Sequence, residues 1–304
     1  MKHPLHTEAD LASRELLDHH QPLPARLAVL GFPVAHSASP AMHQAALDAL
    51  GLPMRYIKIE VMPGRVAAVL ERLRELDFIG VNVTVPHKFE ALRACNLLDP
   101  AAAALGVVNT IGFHSKGLHG WNTDGVGFSR AVTEAFQLGI AGSSVLIVGA
   151  GGGAGQALAA QCAREQAASL ILVNRSLGKI QELAAHLQSQ HPNLSIRCLA
   201  LDSSDLKQAC YDSQLIVNTS SLGLKHDDPS PLPCGYLAPH HCVFDTIYQP
   251  AITPLLQQAE QIGCRRANGL GMLLHQGVAA FAHWFDGREP IEAMRAGLRL
   301  AVGQ

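Results

Sequence analysis

Ser144-Val145-Leu146-Ile147-Val148-Gly149-Ala150-Gly151-Gly152-Gly153-Ala154-Gly155 decides the fold. Its first five residues are an almost continuous apolar run, the pattern of a strand buried on both faces. The glycines follow without a spacer, and an alanine-rich stretch to Glu165 reads as a helix. Leu170-Ile171-Leu172-Val173 is then a second buried strand. Strand, glycine turn, helix and strand in this compass make a Rossmann-type βαβ unit. One glycine makes the tight turn, another lets a pyrophosphate reach the backbone, and a small residue lets helix and strand pack closely. The helix start adds free N–H groups and a partial positive charge. Gly149, Ala150, Gly151, Gly152, Gly153 and Ala154 are therefore candidate cofactor contacts.

The second strand runs into Asn174-Arg175-Ser176, with Lys179 one helical turn on. A site for NAD usually places Asp or Glu here, to bond the ribose hydroxyls. An arginine, a hydroxyl and a lysine suit a 2′-phosphate instead. The expected cofactor is NADP, with Asn174, Arg175, Ser176 and Lys179 at its ribose phosphate.

Upstream, strands and helices alternate. Leu27–Leu30 is a strand stopped by Gly31, and Pro40 opens a helix toward Leu50 with Ser39 as its N-cap. Tyr56–Val61 alternates with period two, and Val66, Val69, Leu70, Leu73 and Leu76 share one helical face. Val81–Val85 is a strand ended by Pro86, and Val107–His114 with Leu118–Trp121 reads as a hairpin. Downstream of the glycine loop come a helix at Lys179–Leu187 and strands near 195–199, 215–218 and 242–245. At roughly 150 residues per domain, 304 residues suit two domains. The expected fold class is α/β with two domains, each on a mostly parallel sheet. The expected boundaries are an N-terminal extension at 1–25, a substrate-binding catalytic domain at 26–124, a Rossmann domain at 125–268, and C-terminal helices at 269–304 packing back on the first.

Composition narrows the function. Lys and Arg number 23 against 25 Asp and Glu, so no basic field exists for a nucleic-acid backbone. No apolar run approaches the ~18 residues of a membrane span, and Met1–His20 lacks the apolar core of a signal peptide. Seven cysteines without a C-x-x-C pair read as reduced thiols of a cytoplasmic protein. Sixteen histidines contain no H-E-x-x-H, so no metal is expected. The partners expected are a small-molecule substrate and a monomer or homodimer state.

Four polar clusters fall where β/α loops belong. They are His36-Ser37-Ala38-Ser39-Pro40, Asn82-Val83-Thr84-Val85-Pro86-His87-Lys88, Val108-Asn109-Thr110, and Gly120-Trp121-Asn122-Thr123-Asp124-Gly125. Each alone is more often a cap or a turn. Together they describe a cleft of hydroxyls and amides with one lysine and one aspartate, suited to a small polyhydroxylated acid.

These stretches resemble the shikimate dehydrogenase family. So do Asn218-Thr219-Ser220-Ser221-Leu222-Gly223, Asp245-Thr246-Ile247-Tyr248-Gln249-Pro250, and Gly269-Leu270-Gly271-Met272-Leu273 with Gln276, all in the family's order over about residues 27 to 285. The resemblance implies reversible NADP-linked reduction of 3-dehydroshikimate to shikimate, a step toward aromatic amino acids. It implies Lys88 and Asp124 as the catalytic pair, and Ser37 and Ser39 on the substrate carboxylate. Asn82, Thr84, Asn109 and Gln276 would bond ring hydroxyls, with Tyr248 nearby. Thr219, Ser220, Thr246 and the backbone of Gly269 would touch the cofactor.

Three positions depart from the family pattern: Thr246 where a methionine is common, Gly155 where a basic residue is frequent, and Gln44 for an asparagine. The rivals are a quinate/shikimate dehydrogenase using NAD, a ligand-sensing regulator of the same fold without catalysis, and a different two-domain NADP reductase. The regulator could dispense with Lys88 or Asp124, and the last leaves Ser37, Ser39, Asn82, Thr84 and Lys88 unexplained.

Overall fold

The computed structural model describes residues 3–303. The chain divides into two compact units, residues 1–123 with 274–304 and residues 124–273.

In the first unit seven strands form one sheet: β1 (Leu5–Thr7), β2 (Ala25–Gly31), β3 (Arg55–Glu60), β4 (Gly80–Val83), β5 (Leu97–Leu98), β6 (Thr110–His114) and β7 (Gly117–Trp121). Their order is β1-β3-β2-β4-β6-β7-β5. The first four in that order run parallel, and β6 is antiparallel to both β4 and β7. Register sets Asn82 beside Val29 on one side and Thr110 on the other. Helices α1 (Arg14–Leu17), α2 (Ser39–Ala49), α3 (Val66–Glu75), α4 (Lys88–Ala94) and α5 (Pro100–Leu105) join the strands. The apolar face read for α3 is buried at Val66, Val69, Leu70 and Leu73. Each such side chain contributes about 1.5–3 kcal/mol on leaving water.

The described part of the leader corrects the reading of residues 1–25 as an extension. β1 adds an edge strand to β3, and Leu11 and Leu17 are buried in the core of the unit. Asp18 pairs with Arg14 at 2.7 Å and Arg55 at 2.6 Å, and its carboxylate accepts the N–H of Ala25. Arg72 donates to the carbonyls of Leu11 and Ala12.

The second unit opens with α6 (Asp124–Phe136). Its sheet holds β8 (Ser144–Val148), β9 (Ser169–Asn174), β10 (Ser195–Ala200), β11 (Leu215–Asn218), β12 (Cys242–Asp245) and β13 (Arg265–Ala267), with α7 (Gly153–Arg164), α8 (Leu177–Gln190), α9 (Leu206–Tyr211) and α10 (Pro254–Ile262) between them. All pairs are parallel, in the order β10-β9-β8-β11-β12-β13. The order reverses between β8 and β11. Ligands of open α/β sheets bind beyond the strand ends at such a switch point.

The chain returns along α11 (Leu270–Trp284) and α12 (Ile291–Val302). Within the first unit α12 lies on α2 so closely that a Cβ at Gly297 would stand 2.5 Å from the carbonyl oxygen of Ala41. The Trp284 indole lies over Gly80 and donates to the carbonyl of Ile111 at 3.0 Å. Among the described residues no helix is long and apolar enough to cross a membrane.

Candidate active site

The C-terminal ends of β2 and β4 are stitched together. Thr84 N–H donates to Leu30 O at 2.8 Å, and Phe32 N–H to Val85 O at 3.0 Å. The loop after β2 carries Ser37 and Ser39, and the Lys58 ammonium holds it by the carbonyl of Ala35 at 2.7 Å. Ser39 is not the cap expected of it. Ala38 occupies the N-cap without a side-chain bond, and Ser39 is the first residue of α2. Its hydroxyl thus sits within the first turn, beside Pro40, and Ser37 Oγ accepts the Ser39 N–H at 3.3 Å.

Past β4, His87 is fully buried with Nε2 2.8 Å from the carbonyl of Val61. Lys88 follows as the first residue of α4, its own carbonyl accepting from Val108 N–H at 3.1 Å. Asn82 and Asn109 are buried in a polar row. Asn82 Nδ2 donates to Thr110 Oγ1 at 3.1 Å, Thr110 Oγ1 to Asn109 Oδ1 at 3.0 Å, and Asn109 Nδ2 to Thr123 Oγ1 at 3.0 Å. Thr123 ends the first unit, and Asp124, buried, opens the second. Gln276 lies on the part of α11 that belongs to the first unit.

His43 of α2 packs flat against Tyr56 of β3, with ring centroids 4.4 Å apart and planes 2° from parallel. Burial lowers its pKa from 6.5 to about 3. The folded ring is therefore neutral, while an unfolded one titrates near 6.5. Between those values the unfolded chain binds a proton that the folded chain does not, so stability is lost as pH falls below about 6.5. The slope approaches about 1.4 kcal/mol per pH unit. Both tryptophans, Trp121 and Trp284, lie in this unit, so urea unfolding followed by their fluorescence reads it. Wild type should lose more stability between pH 7 and 5.5 than His43→Phe; equal losses would contradict a buried neutral His43.

In the second unit the glycine loop turns at Gly149, whose φ of +82° suits glycine. A Cβ there would meet Ser220 N at 2.7 Å. A Cβ at Gly151 would stand 2.6 Å from Asn174 Nδ2 and 3.3 Å from Lys179 Cβ. The loop, the end of β9 and the first turn of α8 therefore converge, with Arg175, Ser176 and Lys179 exposed beside them. Thr219 and Ser220 adjoin the loop, but their hydroxyls are spent inside the protein. Thr219 Oγ1 donates to Val148 O at 2.8 Å and Ser220 Oγ to Asn218 Oδ1 at 2.7 Å.

Gly155 is the closely packed glycine of the loop. A Cβ there would stand 2.6 Å from Ala150 Cα and from Gly149 O. The next side chain, Gln156, donates to Gly151 O at 3.2 Å. A Cβ at Gly269 would fall 2.0 Å from the carbonyl oxygen of Thr246, so those two backbones touch. Tyr248 is half-buried, and burial pushes its hydroxyl above the usual tyrosine range.

Sequence reasoning assigned no role to Asp245 and Asn218. Asp245 is fully buried and accepts from Thr253 Oγ1 at 2.6 Å, Asn218 Nδ2 at 3.0 Å and Ile247 N–H at 3.1 Å. Burial pushes its carboxyl upward against those three bonds. It ties the ends of β11 and β12 beside the switch point. Among the described residues no group of three or more His, Cys, Asp or Glu side chains is placed to hold a metal ion.

Residues 29–111 match the model of the shikimate dehydrogenase substrate binding domain, and residues 269–299 that of the shikimate 5′-dehydrogenase C-terminal domain. A shikimate dehydrogenase (NADP(+)) of Moorella thermoacetica is 40% identical over 278 residues, covering 91% of this chain and 93% of its own. One of Geobacter sulfurreducens is 37% identical over 276 residues, covering 91% and 96%. The crystal structure of shikimate 5-dehydrogenase from Thermus thermophilus, in complex with NADP(H) and shikimate, superposes with a TM-score of 0.80 at 33% identity, covering 91% of this chain and 99% of that one. The chain belongs to the shikimate dehydrogenase family.

Proposed function

We propose that this chain catalyses the reversible, NADP-linked interconversion of shikimate and 3-dehydroshikimate. The observation that carries the reading is the gathering of Ser37, Ser39, Thr84 and Lys88 at the C-terminal ends of adjacent parallel strands β2 and β4. Ser37 and Ser39, at the start of α2, hold the substrate carboxylate, helped by the N–H groups of that helix. Asn82, Thr84, Asn109 and Gln276 bond the ring hydroxyls, and Tyr248 is a further substrate contact. Lys88 takes the proton of the reacting hydroxyl at Nζ during oxidation, and returns it during reduction. Asp124 is the second member of the catalytic pair. Seven free thiols suit a reducing compartment, so the enzyme is assigned to the cytoplasm.

The glycine loop fits a dinucleotide, because a Cβ at Gly153 would meet nothing within 4 Å and one at Gly152 only the carbonyl oxygen of Gly149 at 3.5 Å, so the backbone there is open to a close approach. Gly149–Ala154 would hold the pyrophosphate, and Arg175, Ser176 and Lys179 the 2′-phosphate. When bound, NADP(H) supplies or accepts the hydride.

The test is absorbance at 340 nm with shikimate and quinate, each against NADP and NAD. Shikimate with NADP should exceed every other pairing, with kcat/KM at least about a hundredfold above that with NAD. Arg175→Ala should lower kcat/KM for NADP about tenfold and leave that for NAD in place. Equal use of both cofactors would remove the phosphate reading, and quinate turned over faster than shikimate would move the substrate.

A further inference from the structure

We propose that Tyr56, to which neither the sequence nor the family assignment gives a role here, is a positioning residue for this reaction and acts through the side-chain amide of Asn82. The inference rests on the reading of Asn82 as a substrate contact.

Tyr56 is 1% exposed, and its ring is fixed by the stacked imidazole of His43. Its hydroxyl donates to Asn82 Oδ1 at 2.8 Å. The other end of the amide, Nδ2, stands 3.1 Å from Thr110 Oγ1 and 3.4 Å from the carbonyl oxygen of Asn109. A backbone carbonyl can only accept, so it fixes the orientation: an oxygen in the place of Nδ2 would face it without a proton between them. Asn109 is oriented likewise, because its Oδ1 accepts the backbone N–H of Thr123 at 2.9 Å.

The donors therefore run from Tyr56 through Asn82 and Thr110 to Asn109, which both donates to and accepts from Thr123, the residue before Asp124. Thr110 and Thr123 are 0% and 2% exposed, so no bulk water replaces a lost member. Such a row polarises and stiffens in a low-dielectric interior. It also sets what Asn82 offers. With Oδ1 spent on Tyr56, the amide presents a donor to the substrate, drawn from its long 3.4 Å bond to Asn109. Without the Tyr56 hydroxyl, Oδ1 loses its 2.8 Å donor and keeps only the neighbouring His43 ring, so the orientation of the amide is less firmly set.

Tyr56→Phe keeps the ring and its stack and removes only the hydroxyl. It should weaken shikimate about tenfold, in KM and in the cofactor-free Kd by titration calorimetry, with kcat reduced less than threefold and KM for NADP unmoved. Combined with Asn82→Ala it should add no further loss, because the group it positions is gone. Thr110→Val tests the same row from its other side and should couple to Asn82→Ala in the same way.

Losses that multiply in both double variants, or a KM for NADP that rises in step with that for shikimate, would overturn the proposal. So would Tyr56→Phe and Thr110→Val binding shikimate as wild type does while Asn82→Ala does not. If Asn82→Ala itself binds shikimate like wild type, the reading of Asn82 fails first and takes this proposal with it.

Discussion

Replacing Lys88 by methionine is expected to lower kcat for shikimate oxidation about a thousandfold, within the range general acid–base groups supply, while KM for shikimate moves less than about threefold. The asymmetry follows from what the side chain does. An uncharged hydroxyl gives up its proton only as the reaction proceeds, so in the proposed role the stabilisation from Lys88 would be greatest in the transition state. The backbone that carries it is held independently of the side chain. Buried His87 on one side meets Val61 O, and the Lys88 carbonyl accepts from Val108 N–H on the other. Lys88 is also only half-buried at the first position of α4, where methionine is a good helix former of similar length. The variant should therefore fold, and its thermal midpoint should stay within a few degrees of wild type. A primary deuterium isotope effect on the transferred hydrogen would show that chemistry limits both enzymes. A Lys88→Met enzyme within tenfold of wild-type kcat, with that isotope effect expressed, would exclude Lys88 as the proton carrier.

The parts of this molecule legible in its sequence are those whose requirement is local. The turn at Gly149 needs a positive φ, and Gly151 and Gly155 lie too close to neighbouring atoms for a Cβ, so the loop announces itself within twelve residues. The face of α3 is legible because one helix writes its own period. What escaped is set by partners distant in the chain. β1 is three residues long and becomes a strand only because β3, some fifty residues on, offers a free edge. Alternation puts Tyr56 on the face of Lys58 and Glu60, yet it is buried, and its hydroxyl partner, Asn82, stands 26 residues away on another strand. Gly80 is glycine because Trp284, at the far end of α11, lies on it. The cap at Ser39 failed for a local reason. Serine and proline side by side suggest Ncap and N1, but the helix starts one residue earlier, with Ala38 at the cap.

The glycine loop yields the second large effect, as a contrast between neighbours. Gly155→Arg should raise the Kd for NADP about a hundredfold and lower the thermal midpoint by several degrees, whereas Gln156→Arg should fold normally and bind NADP at least as tightly as wild type. At 155 the obstacle is the first carbon of any side chain. It would press to 2.6 Å on Ala150 Cα and Gly149 O, which are backbone atoms of the turn itself and cannot rotate aside. Relief requires moving the turn or tilting α7, and overpacking of this kind costs about 1–3 kcal/mol before any ligand is considered. Gly155→Ala should already show most of the loss, since the clash is made by Cβ and the guanidinium adds only bulk. At 156 the side chain already projects to the loop, as Gln156 Nε2 on Gly151 O shows. A guanidinium there adds positive charge in the first turns of α7, where phosphate oxygens would be held, and a charge-assisted bond there strengthens binding by about tenfold. Dye-monitored melting of the three variants without cofactor separates strain from binding, and fluorescence titration with NADPH then gives the affinities. Tight binding by Gly155→Arg together with impaired folding of Gln156→Arg would reverse the two positions and place the close helix–strand contact of this unit at 156.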